Sequence, residues 1–88
     1  MVEISTGILE RYAADVAREI GGVRSVSKVK VASENGAVRV ELRVAVAWGA
    51  SIPALGRDVQ TRVREYLLHM ADVEQATVDV IVDEIGPA

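Results

Sequence analysis

The sequence contains no cysteine and no phenylalanine, a single histidine, two prolines and three aromatic residues, Tyr12, Trp48 and Tyr66. Without cysteine there are no disulfides, no thiolate metal sites and no thiol nucleophile, a composition that fits a reducing compartment. Without phenylalanine the core must be aliphatic. No apolar run approaches the roughly 20 residues of a membrane-spanning helix. Met1-Val2-Glu3-Ile4 lacks the basic and apolar regions of a secretion signal, so a cytoplasmic location is expected. Neither sign of charge dominates: 10 basic and 13 acidic side chains leave a net charge of −3. That balance speaks against nucleic acid, whose binding is driven by phosphate neutralisation.

What is present is aliphatic. Half of the residues are hydrophobic, 16 of them valine and 12 alanine. Valine is stiff at χ1 and suits strands, while alanine suits helices and close helix contacts. Eighty-eight residues fit one domain, expected to span 1–88, with a modest core.

Hydrophobic spacing divides the chain into five elements. Ser5 or Thr6 can cap a helix reaching about Ile20, where Ile8, Tyr12, Val16 and Ile20 recur every four residues and, with Leu9, Ala13 and Ala17 beside them, make one apolar stripe. Gly21-Gly22 can supply a left-handed residue after it. Val2–Ile4 read as a short N-terminal edge strand. Val26–Glu34 and Ala37–Trp48 flank Asn35-Gly36, the dipeptide that a type I′ hairpin turn favours because it needs positive φ twice. A two-residue loop makes paired residue numbers sum to 71. Val31 then faces Val40, Val29 faces Leu42, Ser33 faces Val38 and Ser27 faces Val44, all on one face; Lys30 meets Glu41 and Lys28 meets Arg43 on the other. A second helix begins near Ser51–Pro53, with Ile52, Leu55, Val59, Val63, Tyr66 or Leu67, and Met70 inward and an Asp58–Arg62 pair on the wet side. A last strand over Gln75–Ile85 turns Ala76, Val78, Val80 and Val82 inward and Thr77, Asp79 and Asp83 outward. The predicted fold is α+β, a two-layer α-β-β-α-β arrangement with two helices on one face of a three-stranded sheet. The order matches a type II KH arrangement less one helix, without its Gly-x-x-Gly loop.

Chemistry is scarce. Glu65, His69 and Asp72 can share a helix face, but one histidine with flexible acids is a poor zinc set, and a C-terminal histidine suits the helix dipole. No nucleophile-elbow pattern surrounds any serine. Asp83-Glu84 are strand neighbours and point to opposite faces. Gly21-Gly22 follows a helix, and Gly49–Gly56 lacks a P-loop lysine. No catalytic, cofactor or metal residues are therefore assigned.

Two features fit protein contact instead. Trp48 shares the parity of Val44 and Val46, so it either caps the core at the sheet end or anchors a partner. Val26, Ala32, Ala45, Ala47 and Ile81 have outward parity; contiguous, they would make an association surface, and scattered they would be ordinary surface hydrophobes. The candidate interaction set is Val26, Ala45, Ala47, Trp48 and Ile81. Lys28, Lys30, Arg39, Glu41 and Arg43 are placed on outer strands, where charge would limit runaway pairing.

An ordered set of short patterns runs through the chain: Val2-Glu3-Ile4-Ser5, Ile8-Leu9, Ala13-Ala14 and Glu19-Ile20-Gly21-Gly22-Val23; then Val38-Arg39-Val40-Glu41-Leu42-Arg43-Val44-Ala45-Val46; then Trp48-Gly49-Ala50-Ser51-Ile52-Pro53, with Val59-Gln60, Val63, Met70 and Val78-Asp79-Val80. Together they resemble the bacterial alkaline shock protein family. The resemblance implies a non-enzymatic cytoplasmic protein linked to envelope stress and homeostasis. Some members self-associate and reach the membrane through a membrane-anchored partner; others are tied to control of lipid synthesis. It implies no catalytic residues and no cofactor. This chain differs in its short hairpin and in lacking long charged tails, which puts tail-dependent partner binding in doubt. The expected function is a scaffold or adaptor acting by protein–protein contact, self-associating and peripheral to the membrane through a partner. The alternative is a KH-like RNA-binding module.

Overall fold

The computed structural model describes residues 5–70 and 73–87. The elements follow in the order α1 (Thr6–Arg18), β1 (Val23–Glu34), β2 (Ala37–Ala47), α2 (Ile52–Met70) and β3 (Gln75–Gly86). The strands form one mixed sheet in the order β1-β2-β3. β2 is antiparallel to β1 and parallel to β3, and α2 supplies the long connection that a parallel pair requires. Both helices lie on one face, α1 against β1 and α2 against β3, and they touch each other. The expectations for Val2–Ile4, for Asp72 and for the Met70 side chain lie outside what is described.

Helix α1 starts where the sequence says. Ser5 is extended (φ −67°, ψ 151°), and the Ile8 N–H donates to its Oγ at 3.3 Å, satisfying one of the orphan donors of the first turn. The helix ends at Arg18, two residues short of Ile20. Its buried face is Leu9, Ala13, Ala14 and Ala17, the Leu9 side of the expected stripe with Ala14 added. Ile8, a full 100° from Leu9 on the helical wheel, is 45% exposed, and Val16 is half-buried on the flank. Three alanines on the contact face let α1 approach the sheet closely. In α2 the buried residues are Leu55, Val59, Val63 and Leu67, so Leu67 takes the inward place and Tyr66 the flank, while Ile52 is exposed at the helix start. Tyr66 meets Tyr12 edge-to-face, ring centroids 5.5 Å apart at 70°, which joins the helices across their outer groove. Asp58 and Arg62 are exposed; the ion pairs among the described residues are Arg18–Asp15, Arg39–Asp79 and Arg43–Glu41, without the expected Asp58–Arg62 pair.

Asn35 (φ 50°) and Gly36 (φ 79°) occupy the hairpin turn, both left-handed. The sum-71 register holds from Glu34↔Ala37 through Lys28↔Arg43, including Val31↔Val40 and Val29↔Leu42, and then breaks. One extra β1 residue enters between Val26 and Lys28 and another between Val23 and Ser25, so Val26, not Ser27, faces Val44, and Val23 faces Val46. A third shift, beside Ala45, leaves Asp83 unpaired in β3. Such bulges bend a strand and increase its twist. Here they keep valine on the helix-facing side where strict alternation would have put Ser25 and Ser27. The core is Val38, Val40, Leu42, Val44 and Val46 of β2 beneath the two helical stripes, closed by Ala76 and Val78, with Val80 and Val82 half-buried against it. The Gly36 carbonyl also accepts from the Glu74 and Gln75 N–H groups at 2.9 and 3.4 Å, tying the start of β3 to the turn.

Gly22 sits at φ 97° in the turn closed by Val23 N–H to the Ile20 carbonyl, and a Cβ there would stand 2.8 Å from Leu55 Cδ1. Its neighbour Gly21 has open space around it. Gly22→Ala is expected to destabilise by about 1–3 kcal/mol through strain and collision, whereas Gly21→Ala should stay within about 0.5 kcal/mol. Chemical denaturation of the two variants checks this; equal effects would contradict the packing described. Leu55→Ala should cost about 2–5 kcal/mol in the same measurement.

Candidate functional site: the Trp48 corner and the open sheet face

Strand β2 ends at Ala47. The Ala50 N–H returns to the Ala47 carbonyl at 3.2 Å, with Gly49 at φ 88°, the geometry of a tight turn with glycine in its third place. Trp48 is therefore a corner residue and not the next residue of a strand, so its parity no longer sends it inward. Its indole is 74% exposed, and it does not cap the core. The backbone beneath it is fixed: the Trp48 N–H donates to the Gly86 carbonyl at 2.6 Å, the Ala47 N–H to the Gly22 carbonyl at 2.8 Å, and the Leu55 N–H to the Ser51 carbonyl at 2.9 Å. Trp48 lines a shallow, mainly apolar hollow with Ile85, Gly86 and Pro87. Ile85 is 48% exposed there; the bulge at Asp83 sets it, in place of Glu84, opposite Val46 at the sheet end. A large apolar side chain held outward on a pinned backbone loses little freedom when a partner covers it.

The open sheet face is a different surface from the one expected. Val26 packs against the core, turned inward by the bulge. Ala45 is only 6% exposed, Ala47 and Ile81 are half-buried, and Ala32 is exposed near the far end. Polar side chains cross over the small residues of β2. The single Ser27 hydroxyl proton is shared between Asp83 Oδ2 at 2.9 Å and the Arg43 carbonyl at 3.2 Å. A Cβ on Gly86 would collide with the Arg24 guanidinium, which lies across the sheet end. Further along, Arg39 donates to Asp79 from Nε and Nη2 at 3.3 and 3.2 Å. Arg43, whose register partners are Lys28 and Ile81, has its Nε 4.0 Å from Glu41 Oε2 and within no hydrogen bond. The face is thus a lattice of mixed charge over alanines, not a contiguous apolar patch. Arg39, Glu41 and Arg43 stand on the central strand, so of the charges placed on outer strands only Lys28 and Lys30 guard an edge.

Of the five candidate residues, the structure leaves Trp48 alone fully displayed. Ile85 and Pro87, its neighbours in the hollow, were missed. The legible signal was Glu84: continued alternation would have put a carboxylate beside Val46, which a bulge avoids. Around His69 the groove between the helices is lined by Tyr12, Asp15, Glu19, Glu65 and Tyr66. Among the described residues no three histidine or acidic side chains come together in a form that could hold a metal ion. Among those residues, too, no helix is long and apolar enough to cross a membrane.

Gly86→Ala is expected to cost about 1–3 kcal/mol by overpacking against Arg24. In an Arg24→Ala background the same change should cost less than about 0.5 kcal/mol. A double-mutant cycle by denaturation measures the difference; additive effects would place the guanidinium elsewhere.

Solved structures share this fold at low identity. MamM-CTD 215-293 is 14% identical, with a TM-score of 0.66 over 89% of this chain and 99% of its own. A histidine-to-alanine variant of MamM-CTD reaches 0.68 at 14% identity, covering 91% and 100%. The cadmium form of an aspartate-to-glutamate variant reaches 0.66 at 16%, again covering 91% and 100%. At this identity the likeness is one of fold. No curated protein matches the sequence. The family comparison is more specific: residues 6–87 match the model of the alkaline shock protein 23 family, described as having a cell envelope-related function. The chain belongs to the alkaline shock protein 23 family.

Proposed function

We propose that the protein is a non-enzymatic adaptor in cell-envelope homeostasis or the envelope stress response. It acts in the cytoplasm by protein–protein contact, with the Trp48 corner as a principal contact surface. The observation that carries this reading is a single tryptophan, 74% exposed, on a backbone pinned by the sheet, with Ile85 and Pro87 beside it. Tryptophan is enriched among the residues that dominate binding energy at interfaces. Membership of a family with an envelope-related function supports the setting. The partner takes the form of a membrane-anchored protein or a second copy of the chain, since the described helices do not themselves span a membrane.

Trp48 is the only tryptophan, so its fluorescence reports the corner directly. In the isolated protein the emission should be that of a solvated indole, fully accessible to a neutral quencher. On addition of membranes from the native host carrying their protein complement, the emission should shift to the blue and quenching should fall. Trp48→Ala should leave stability within about 0.5 kcal/mol of wild type while abolishing co-sedimentation with those membranes. Unchanged co-sedimentation in the variant, or binding that persists on protein-free vesicles, would overturn the reading.

A further inference from the structure

Among the described residues no strand pairs with the outer edge of β3. Gln60 of α2 donates from Nε2 to the Val78 carbonyl at 3.1 Å, so that carbonyl points away from β2 toward the free edge. Backbone groups alternate sides along a strand, so those of Val80 and Val82 face the same edge. Their side chains are half-buried against the core, the signature of a row that an additional strand would cover. At the Ala76–Val78 end of the same edge a groove of about 670 Å³ runs between α2 and β3, lined by Gln60, Thr61, Arg64, Glu65, Leu68 and Val78 among others. On the opposite face of the same edge β3 itself contributes Asp79, Asp83 and Glu84 and no basic residue. Arg39 engages Asp79 and Ser27 engages Asp83, while Glu84 is exposed. The other sheet edge offers less. β1 is broken by two bulges and carries Lys28 and Lys30, both devices that deter pairing.

We propose that the β3 edge accepts an extended segment of a partner protein as a fourth, antiparallel strand, and that Gln60 is a gate occupying the Val78 carbonyl until the strand arrives. The partner segment alternates aliphatic with basic side chains. Its aliphatic row packs along Val80 and Val82 and ends in the groove beside Val78 and Leu68, and its basic row lies over Asp79, Asp83 and Glu84. Main-chain hydrogen bonds supply affinity in this mode, and alternate side chains supply selectivity. The surface adjoins the Trp48 corner at Ile85, but the proposal does not depend on that corner.

The probe is the capped hexapeptide Lys-Val-Lys-Val-Lys-Val, titrated into isotope-labelled protein and followed by amide shifts and hydrogen exchange. Shifts should concentrate at Val78, Val80 and Val82, with slowed exchange at Val80 and Val82, and should weaken several-fold as salt is raised. The peptide N-methylated at its valines lacks the donors an antiparallel strand would turn to β3 and should not bind. Val80→Pro removes an edge-facing N–H without touching the β2 ladder, a position where proline is tolerated, and should also abolish binding. Gln60→Ala should tighten it several-fold. Shifts at the Trp48 corner alone, equal binding of the N-methylated peptide, or equal binding of Glu-Val-Glu-Val-Glu-Val would overturn the proposal. Concentration-dependent shifts of the same three amides without peptide would make the occupant a second copy and overturn the commitment to a partner. Unchanged or weaker affinity in Gln60→Ala would overturn the gate.

Discussion

The pairing of β2 on both sides, with one face fully covered, is the constraint on which the rest depends. Its inward residues Val38, Val40, Leu42, Val44 and Val46 are buried, and nothing else in the chain offers so long an apolar row. Both helices are placed by the need to cover it, and both flanking strands take their register from it. Each mismatch between strict alternation and available valines is absorbed in the flanks, by extra residues in β1 and β3, while β2 itself pairs without interruption. The central strand dictates and the edges adjust, because a one-residue slip in β2 would exchange its valines for Arg39, Glu41 and Arg43.

This division accounts for what could be read from the sequence. Element order, the Asn35-Gly36 turn and the register near it were legible because turn chemistry and alternation are local and agree. The register farther from the turn was not, since it depends on which flanking residues β2 will tolerate; yet Ser25, Ser27 and Glu84 at inward parity carried the warning. The stripe of α1 was drawn too wide, since Leu9, Ala13 and Ala17 are buried and Ile8 is exposed: four-residue spacing alone does not fix the centre of a helical face, and only contact with the sheet chose Leu9 over Ile8. Trp48 was ambiguous for a related reason. Parity applies while the strand lasts, and whether it ends at Ala47 or Trp48 depends on Gly49 adopting positive φ.

The site was less legible than the fold. The outward residues of the sheet were correctly seen as small, but smallness served a different end. Alanine at 45 and 47 gives Ser27 and Arg24 room to reach across the middle strand to β3. An apolar patch and a bridged polar lattice share one composition pattern and differ only in the side chains that come from the neighbouring strands. Strand order decides between them, and strand order is not written in any single segment.

The hairpin turn has a wider role than reversing the chain. Because the Gly36 carbonyl also receives the Glu74 and Gln75 N–H groups, two loop closures of very different length meet at one peptide unit. The first spans two residues and costs little chain entropy; the second encloses β2 and α2 and costs more, though the cost grows only with the logarithm of length. The acceptor for the long closure is oriented by the short one. Local geometry at Asn35-Gly36 thereby sets the starting phase of a strand nearly forty residues further along the chain.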